Sequence, residues 1–200
     1  MSTLSLPTTS EQTLKNLITA FTEESNVSAR YAAFARKADE EGFLKVGSLF
    51  RAISRSEHIH ASNHVGIIHE MGGEPHVTVE PIEVKSTAEN LEAAIDKELY
   101  EINVMYPDFV LEAGAQKNSK ARRTFRYAME SEKDHSVLLT DALDHVRQCQ
   151  THWCDKSPSV FCVCPEVLYV CPECGFTVTK TVLDYCPVCY RERDESEQVN

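Results

Sequence analysis

The chain lacks any long apolar run. None of its segments approaches the roughly 20 apolar residues that a membrane-spanning helix requires. The first ten residues, MSTLSLPTTS, also lack the basic start and the apolar core of a secretory signal. We therefore expect a cytoplasmic protein with no membrane as partner.

Basic residues are few. The 200 residues include 20 Lys and Arg against 31 Asp and Glu, which gives a formal net charge of −11 at pH 7. An acidic surface repels polyanions, so nucleic acid is not an expected partner. Four basic residues do cluster in the run Lys120–Arg126, which is interpreted as a solvated outer face of a helix.

Cysteine is absent from the first 148 residues, and all eight cysteines fall between Cys149 and Cys189. An extracellular disulfide scaffold would usually distribute them more widely, whereas Cys-x-x-Cys pairs in a cytosolic chain indicate metal binding. The change in composition predicts two domains. We expect a helical bundle at 1–150, a linker at 151–164 and a small β-rich four-cysteine domain at 165–200.

The four-cysteine motif consists of CPEC at 171–174 and CPVC at 186–189, separated by 11 residues. Cys171, Cys174, Cys186 and Cys189 at this spacing predict a tetrahedral thiolate site for zinc or iron. The remaining cysteines are interpreted as ordinary reduced residues. The alternative is a second small metal site, formed with His152 by Cys149, Cys154, Cys162 and Cys164.

Two motifs in the bundle region, Glu57-x-x-His60 and Glu132-x-x-His135, carry the strongest chemical signal. A spacing of three places the carboxylate and the imidazole on the same face of a helix, about one turn apart. A carboxylate and an imidazole supplied twice are ligands of a di-iron or di-manganese site in a four-helix bundle.

Such a site also needs one carboxylate from each of the other two helices. Glu24 and Glu98 lie 33 and 34 residues before the two motifs, so the pattern reads as a duplicated helix pair. Glu98-x-x-Glu101 adds a fifth carboxylate to the inward face of its helix. The sequence therefore predicts a buried layer of acidic and imidazole side chains.

Three further positions modify this prediction. Tyr31 either hydrogen-bonds a metal-bound carboxylate or is a half-buried packing residue. His64 is interpreted as a histidine behind the metal ligands, with direct ligation as the alternative. Pro107 should kink its helix or open a carbonyl, and the long connection 72–87 predicts a crossover as in ferritin-like folds.

Taken together, these motifs closely resemble those of the rubrerythrin family, including its nigerythrin relatives. The resemblance extends from Leu14 to about Arg193 and rests on AFTEES at 20–25, the EINVMYP segment at 101–107, the two Glu-x-x-His motifs and the CPECG and CPVC knuckles. It implies a ferritin-like di-iron bundle followed by a rubredoxin-like domain with one iron.

The resemblance also implies individual roles. Glu57 and Glu132 would bridge the two irons. His135 would hold one iron. The other iron would be held by Glu101 when oxidised and by His60 when reduced, an exchange that moves that iron. The remaining assignments are terminal ligation by Glu24, Glu98 and His135, supporting hydrogen bonds from Tyr31 and Tyr106, and rubredoxin-type iron ligation by Cys171, Cys174, Cys186 and Cys189.

The sequence departs from the family pattern at a few places. Glu23 stands where a glycine is familiar, His64 replaces a usually apolar residue, and the linker cysteines are unusual. None of these changes removes a ligand. They leave the linker geometry and the purpose of the extra cysteines open.

The implied activity is reduction of hydrogen peroxide to water at the di-iron site, with electrons relayed from the four-cysteine iron. The expected partners are an external donor, either rubredoxin or an NAD(P)H-dependent reductase, and a second copy of the chain in a homodimer or higher homo-oligomer. In that dimer, one subunit's rubredoxin-like domain would lie near the partner's bundle. Zinc or manganese can replace iron in a preparation.

Two other functions compete with this one. The first is a ferritin-like ferroxidase or iron scavenger, which would leave the four-cysteine domain without a purpose. The second is an adaptor made of a zinc ribbon on a structural bundle. Unpaired buried carboxylates cost several kcal/mol (order of magnitude), so the acidic layer argues against an adaptor.

Overall fold

The computed structural model describes residues 9–151, 168–179, 184–192 and 196–199. At 9, 10 and 149–151 only the backbone is described. Most of the predicted linker therefore lies outside the described residues, as do Cys154, Cys162, Cys164 and the side chain of Cys149.

Helices make up most of the described chain. They are α1 (Thr9–Glu40), α2 (Leu44–Glu70), α3 (Thr87–Tyr100), α4 (Tyr106–Ala115) and α5 (Ser119–Thr151), with a π-helical turn at Glu101–Met105 between α3 and α4. Helix α1 packs along α2, and α3 and α4 pack along α5. Because α3, the π-turn and α4 continue one another, the described helices form a four-helix bundle, as predicted.

The helix ends follow local sequence signals. Gly42, with φ of +88°, follows α1 and lets the chain reverse into α2. Ser86 accepts the backbone N–H of Glu89 and donates its own N–H to the Glu89 carboxylate, so the capping box expected from the sequence is present. Between α2 and α3 the connection crosses beside α1, where Asn26 Nδ2 donates to the carbonyl of Thr78 at 3.0 Å.

The π-turn ends at Met105, two residues before Pro107. In a π-helix each backbone N–H donates to the carbonyl five residues earlier. The Tyr106 N–H donates in this way to the carbonyl of Glu101. Proline has no N–H and crowds the preceding turn, so it interrupts the regular ladder. Single π-turns of this kind recur at functional sites, and this one carries the buried Glu101.

The described part of the C-terminal domain is a small antiparallel sheet. Strands β1 (Leu168–Val170), β2 (Thr177–Thr179) and β3 (Glu197–Val199) are arranged in the order β2-β1-β3. Leu168 and Val170 are buried and belong to the same apolar cluster as residues of the bundle. The sheet therefore packs directly on the helices.

The bundle core has two apolar clusters with a polar layer between them. One cluster is centred on Phe34, Phe50 and Leu139, and the other on Leu17, Ile68 and Phe125. The acidic residues predicted from the sequence occupy the buried space between them. In the described ranges, no helix combines the length and the apolar composition that crossing a membrane would need.

Candidate metal centre

Six of the seven predicted bundle ligands come together in the polar layer, and all six are buried. They form two overlapping groups, in each of which the ligand atoms lie within 4.8 Å of one another: Glu24, Glu57, His60 and Glu132, and Glu57, Glu98, Glu132 and His135. Two carboxylates are common to both groups. This arrangement suits a pair of metal ions, with Glu57 and Glu132 between them.

The donor set is drawn from four helices. Helices α1 and α3 each supply one glutamate, and α2 and α5 each supply a glutamate and a histidine one turn apart. The local i,i+3 spacing aligns each pair, and the antiparallel packing of the bundle brings the pairs together. Carboxylate and imidazole donors are a fitting set for iron.

Both imidazoles present Nδ1 to the two carboxylates that the groups share, Glu57 and Glu132. His60 Nδ1 lies 2.8 Å from Glu57 Oε2 and 3.0 Å from Glu132 Oε1. His135 Nδ1 lies 2.7 Å from Glu132 Oε2 and 3.2 Å from Glu57 Oε1. Nδ1 is therefore the nitrogen that each ring offers to a metal.

The opposite ring nitrogens contact the C-terminal domain. His60 Nε2–H donates to the backbone carbonyl of Cys174 at 3.0 Å, and His135 Nε2 lies 3.3 Å from Thr177 Oγ1. A carbonyl can only accept, so the Cys174 contact keeps a proton on Nε2 of His60. An outer hydrogen bond of this kind fixes the ring and its tautomer for metal binding.

The electrostatics of the layer show its need for a cation. Burial raises the pKa values of Glu24 and Glu98 well above their usual range, and neighbouring carboxylates raise them further. Burial alone would lower the pKa of His60, but Glu132 and Glu57 raise it to about 10. Burial would raise the pKa of Glu132, but His60 and His135 lower it overall. Two bound metal dications would neutralise this crowded set of carboxylates.

Two buried tyrosines hydrogen-bond to Glu98 and Glu24, the two glutamates that each belong to one group. Tyr31 of α1 donates to Glu98 of α3 at 2.5 Å, and Tyr106 of α4 donates to Glu24 of α1. Burial raises the pKa of both phenols, and the adjacent carboxylates raise it further. Each hydroxyl therefore keeps its proton, and Tyr31 is a fully buried hydrogen-bond donor instead of a half-buried packing residue.

His64 lies behind Tyr106 and belongs to neither metal group. Its Nε2 is 3.2 Å from the Tyr106 hydroxyl, and its Nδ1 is 3.2 Å from Thr124 Oγ1. Burial, with His60 nearby, lowers the pKa of His64 to about 3, so the ring is neutral. With the Tyr106 proton donated to Glu24, Nε2–H must donate to Tyr106 and Thr124 must donate to Nδ1. In this series of hydrogen bonds, from Thr124 through His64 and Tyr106 to Glu24, every donated proton then points toward the metal layer.

Glu101, the seventh predicted ligand, is buried on the π-turn outside both groups. Its Oε1 lies 3.0 Å from Lys97 Nζ, which also lies 2.6 Å from Glu23 Oε2. Burial raises the pKa of Glu101 to about 8, although Lys97 opposes that shift. The structure therefore has His60 within the donor set and Glu101 held aside by a lysine.

The predicted cysteines also come together. Cys171, Cys174, Cys186 and Cys189 form one group within 4.8 Å, with Sγ–Sγ distances of 3.5 Å for 171–189 and for 174–186. Gly175 N–H donates to the carbonyl of Cys171, and in the second knuckle Tyr190 N–H donates to the carbonyl of Cys186, both at 2.9 Å. Two such knuckles facing each other suit one tetrahedral thiolate-bound metal.

Gly175 lies in the contact between the first knuckle and α2. Its φ is +79°, and a Cβ there would lie 2.4 Å from His60 Nε2 and 2.7 Å from Ser56 Oγ. Ser56 Oγ–H donates to the Gly175 carbonyl at 2.5 Å, and Asn63 Nδ2 donates to the Glu173 carbonyl at 2.8 Å. The first knuckle is therefore seated on α2 by backbone contacts that require a glycine.

Sequence reasoning missed several of these residues. Thr124, Ser56 and Thr177 had no motif to mark them, because their contacts with His64, Gly175 and His135 join segments far apart in the chain. Lys97 is four residues before Glu101, but its second partner, Glu23, is 74 residues away. The departures from the family pattern at Glu23 and His64 were the available signals. Both residues prove to belong to the hydrogen-bonded or charged surroundings of the site.

The fold and the two clusters define a class: ferritin-like bundles with a carboxylate-bridged di-iron site, joined to a small four-cysteine metal domain. Comparison with known proteins agrees. The family model described as Rubrerythrin matches residues 15–143. Rubrerythrin-2 of Clostridium acetobutylicum is 34% identical over 180 residues, covering 90% of this chain and 92% of its own. Nigerythrin of Nitratidesulfovibrio vulgaris is 30% identical over 183 residues, covering 91% and 84%.

Solved structures give the same result. The fully reduced, all-ferrous state of nigerythrin superposes with a TM-score of 0.80 at 29% identity, covering 98% of this chain and 89% of that one. A bacterioferritin of Rhodobacter capsulatus shares only the fold, with a TM-score of 0.63 at 18% identity, covering 68% of this chain and 86% of that one. The chain belongs to the rubrerythrin family, an oxidoreductase-type family with a carboxylate/histidine di-iron site and a four-cysteine iron site.

Proposed function

We propose that this protein is a non-haem peroxidase that reduces hydrogen peroxide to water. The observation that carries the proposal is the His60–Cys174 hydrogen bond, which joins a di-iron ligand to a ligand of the four-cysteine iron. A storage protein has no use for such a connection. It suits a site that is oxidised by its substrate and reduced again from within the molecule.

The overall reaction consumes one peroxide, two electrons and two protons and yields two waters. When bound, the two irons would supply the two electrons; the four-cysteine iron, a one-electron thiolate site, would return them one at a time and would be reduced by the external donor after each transfer. Zinc in that position could not do so because it is not redox-active.

The protein's own groups position the ligands and hold the protons. Glu57 and Glu132 are shared by both metal positions. Tyr31 and Tyr106 keep the outer carboxylates oriented, with protonated hydroxyls next to the reacting space. All of these side chains are fully buried, so bulk water is excluded and hydrogen bonds act in a low-dielectric interior.

Glu101 and His60 are proposed to exchange as ligands of the same iron. Ferric iron favours carboxylate oxygen, whereas ferrous iron accepts imidazole nitrogen. The presence of His60 in the donor set, with Glu101 against Lys97, supports this proposal, because the resemblance implies the same ligand set for the reduced state. We also propose the domain limits expected from the sequence: the bundle at 1–150, the linker at 151–164 and the four-cysteine domain at 165–200.

We also propose that the protein acts in the cytoplasm as a homodimer or higher homo-oligomer. Its electrons come from rubredoxin or an NAD(P)H-dependent reductase. The described contact between the four-cysteine domain and the bundle is made within one chain. In a dimer the same surfaces can meet between two chains, as the family resemblance implies, and sedimentation of the iron-loaded protein tests the assembly.

The test of the activity is stopped-flow oxidation of the fully reduced, iron-loaded protein. The visible thiolate-to-ferric band of the four-cysteine site is followed after mixing with hydrogen peroxide or with oxygen. We expect fast reoxidation by peroxide and slow reoxidation by oxygen. The opposite preference, with loading far above three irons per chain, would favour the ferroxidase function. No band would mean zinc in the knuckles and would favour the adaptor function.

A further inference from the structure

The four-cysteine site has an inner and an outer side. Cys171, Cys174 and Cys186 are buried, whereas Cys189 is partly exposed. The buried Cys174 is the residue that contacts His60 of the bundle. Under the proposed function, electrons bound for the bundle would leave on the Cys174 side, and the partly exposed Cys189 side would remain accessible to an external donor.

A groove of about 440 Å³ lies beside this outer side. Val188 and Tyr190, the neighbours of Cys189, form one wall. The start of α5 and the turn before it form the other. The basic residues of this second wall are Lys117, Arg122, Arg123 and Arg126, and we refer to the whole as the basic groove.

The cations of the basic groove lack close acidic partners among the described residues. Within the described ranges, none of its four cations has an acidic partner within 4.0 Å, although the neighbouring Lys120 pairs with Glu70 at 2.7 Å. Glu130, the carboxylate that lines the groove, already pairs with Lys133 at 2.8 Å. In a chain of net charge −11, this positive surface is an exception.

Tyr190 has an unusual conformation and is well exposed. It follows the second knuckle as Gly175 follows the first, and its φ is +63°, in the left-handed region that a bulky residue rarely adopts. Its side chain is 78% exposed. A large aromatic ring held in an unfavourable backbone conformation next to Cys189 is a natural contact point for a partner.

We propose that the basic groove is the docking surface for an acidic electron-transfer protein that reduces the four-cysteine iron. The proposal rests on the proposed function, because only a redox-active four-cysteine site needs an external donor. An acidic donor is repelled by most of this chain and attracted by the groove. Complementary charge then selects the orientation that places the donor's redox group beside Cys189. The open groove and the exposed Tyr190 favour a protein over a small molecule.

The test uses flavodoxin, an acidic flavin protein, as the probe donor. Its hydroquinone anion gives one electron to the ferric thiolate site and becomes the neutral semiquinone, which has its own absorption band. The second-order rate constant is measured by stopped flow for the full-length, iron-loaded protein. We expect the triple variant Arg122→Gln, Arg123→Gln, Arg126→Gln to react about 10- to 100-fold more slowly at low ionic strength, within the range of electrostatic steering. The rate should also lose most of its salt dependence.

The matched control removes the same total charge elsewhere. Lys15→Gln, Arg36→Gln, Lys45→Gln changes three cations that do not line the groove. We expect it to change the rate less than threefold. Equal losses in both triple variants would reduce the effect to net charge and overturn the docking surface. The proposal would also be overturned if the groove variant reacted more slowly with reduced free flavin mononucleotide but at the parent rate with flavodoxin. A small phosphorylated donor would then be the occupant of the groove.

Binding gives a second readout that does not depend on electron flow. Oxidised flavodoxin is titrated into the zinc-loaded chain and followed by amide NMR shifts. The shifts should cluster at 117–127 and 188–190 and disappear in the groove variant, whereas shifts spread over the surface would overturn the proposal. Tyr190→Asn, which tolerates the same φ, should weaken binding without changing charge. Peroxide oxidation of chemically reduced groove variant should be unchanged, so failure of the proposed activity and failure of docking are distinguishable.

Discussion

The Nε2–H of His60 donates to the backbone carbonyl of Cys174 across 3.0 Å. The same imidazole presents Nδ1 to Glu57 and Glu132 on its other side. One side chain therefore touches the acidic layer of the bundle and the backbone of the thiolate site.

Gly175→Ala should separate the two sites. The new Cβ would lie 2.4 Å from His60 Nε2, and alanine is strained at a φ of +79°. The first knuckle must then move away from α2. We expect both sites to bind their metals. Electron transfer to the bundle should slow by about tenfold or more, which corresponds to an increase of about 1.4 kcal/mol or more in the activation free energy.

The measurement is single-turnover reoxidation of the thiolate band by peroxide. Gly66→Ala is the matched control, because a Cβ at this helical position meets no atom within 4 Å. It should leave the rate unchanged and stabilise α2 by about 0.5–1 kcal/mol. A normal rate in Gly175→Ala would mean that the contact does not carry the electrons.

Cys174→Ser should abolish turnover from an external reductase. The substitution removes one thiolate of the four-cysteine site, and serine oxygen is a poor replacement for a soft ligand. One round of peroxide reduction by the chemically reduced bundle should survive, as measured by peroxide consumed per chain. Loss of that round as well would contradict the separate roles of the two sites.

Glu101→Ala should leave a metal-binding protein that reduces peroxide slowly. Glu101 lies outside both groups of donor atoms, so binding in the described arrangement does not depend on it. If the oxidised site needs this carboxylate, peroxide oxidation should slow by about 10- to 100-fold, or roughly 1.4–2.7 kcal/mol. Metal analysis and stopped flow together check the result, and an unchanged rate would remove ligand exchange from the mechanism.

Lys97→Met tests the lysine that holds Glu101 aside. Removing one partner of a buried ion pair costs about 3–5 kcal/mol when the other stays charged. Lys97 is 14% exposed and Glu101 is fully buried with its pKa raised to about 8, so in the metal-free variant the carboxyl offsets part of this cost by taking a proton. The variant should melt below the parent protein, and the difference should grow as the pH rises above the pKa of Glu101. In the ferric protein Glu101 can bind metal instead, so the loss should be smaller. Thermal unfolding of both forms measures the difference.

Glu23→Gln is the control for that comparison. It removes the other carboxylate at Lys97, at 2.6 Å, and leaves the ion pair with Glu101 in place. We expect similar small losses in the metal-free and ferric forms. Equal large losses in both forms of Lys97→Met would show that Glu101 does not reach the metal.

His64→Leu should slow peroxide reduction without loss of iron. It removes the neutral ring that orients the Tyr106 hydroxyl toward Glu24 and leaves Thr124 without its partner. A buried polar group left unsatisfied costs about 1–3 kcal/mol. We expect a rate several-fold lower and a reduced solvent isotope effect. The exposed His58→Leu on the same helix should behave as the parent protein, and an identical isotope effect in both variants would exclude a role in proton supply.

Much of the candidate site was predictable because its signals are local. Glu57 and His60 share a helix face by virtue of their spacing, and each cysteine knuckle closes through hydrogen bonds within a few residues. The capping box at Ser86 and the interruption before Pro107 are equally local. For these features the chemistry of neighbouring residues decides the structure.

The other contacts could not be read from the chain. His60 and Cys174 are 114 residues apart, and Thr124 and His64 are 60 apart. Which imidazole nitrogen faces the carboxylates depends on how α2 packs against α5 and the sheet. The pairing of Lys97 with Glu101, and not with solvent, likewise depends on burial.

The basic run at 120–126 shows the same division. Sequence correctly predicted an exposed helical face, and Arg122, Arg123 and Arg126 are exposed. Only the fold placed that face beside Val188 and Tyr190 of the second knuckle. Residue types and short spacings thus determined the metal-binding motifs, the helices and the knuckles, because each of these depends on interactions between residues within about one turn. The connection between the two metal sites and the position of the basic groove were decided by tertiary packing, which brings together side chains that no local period relates.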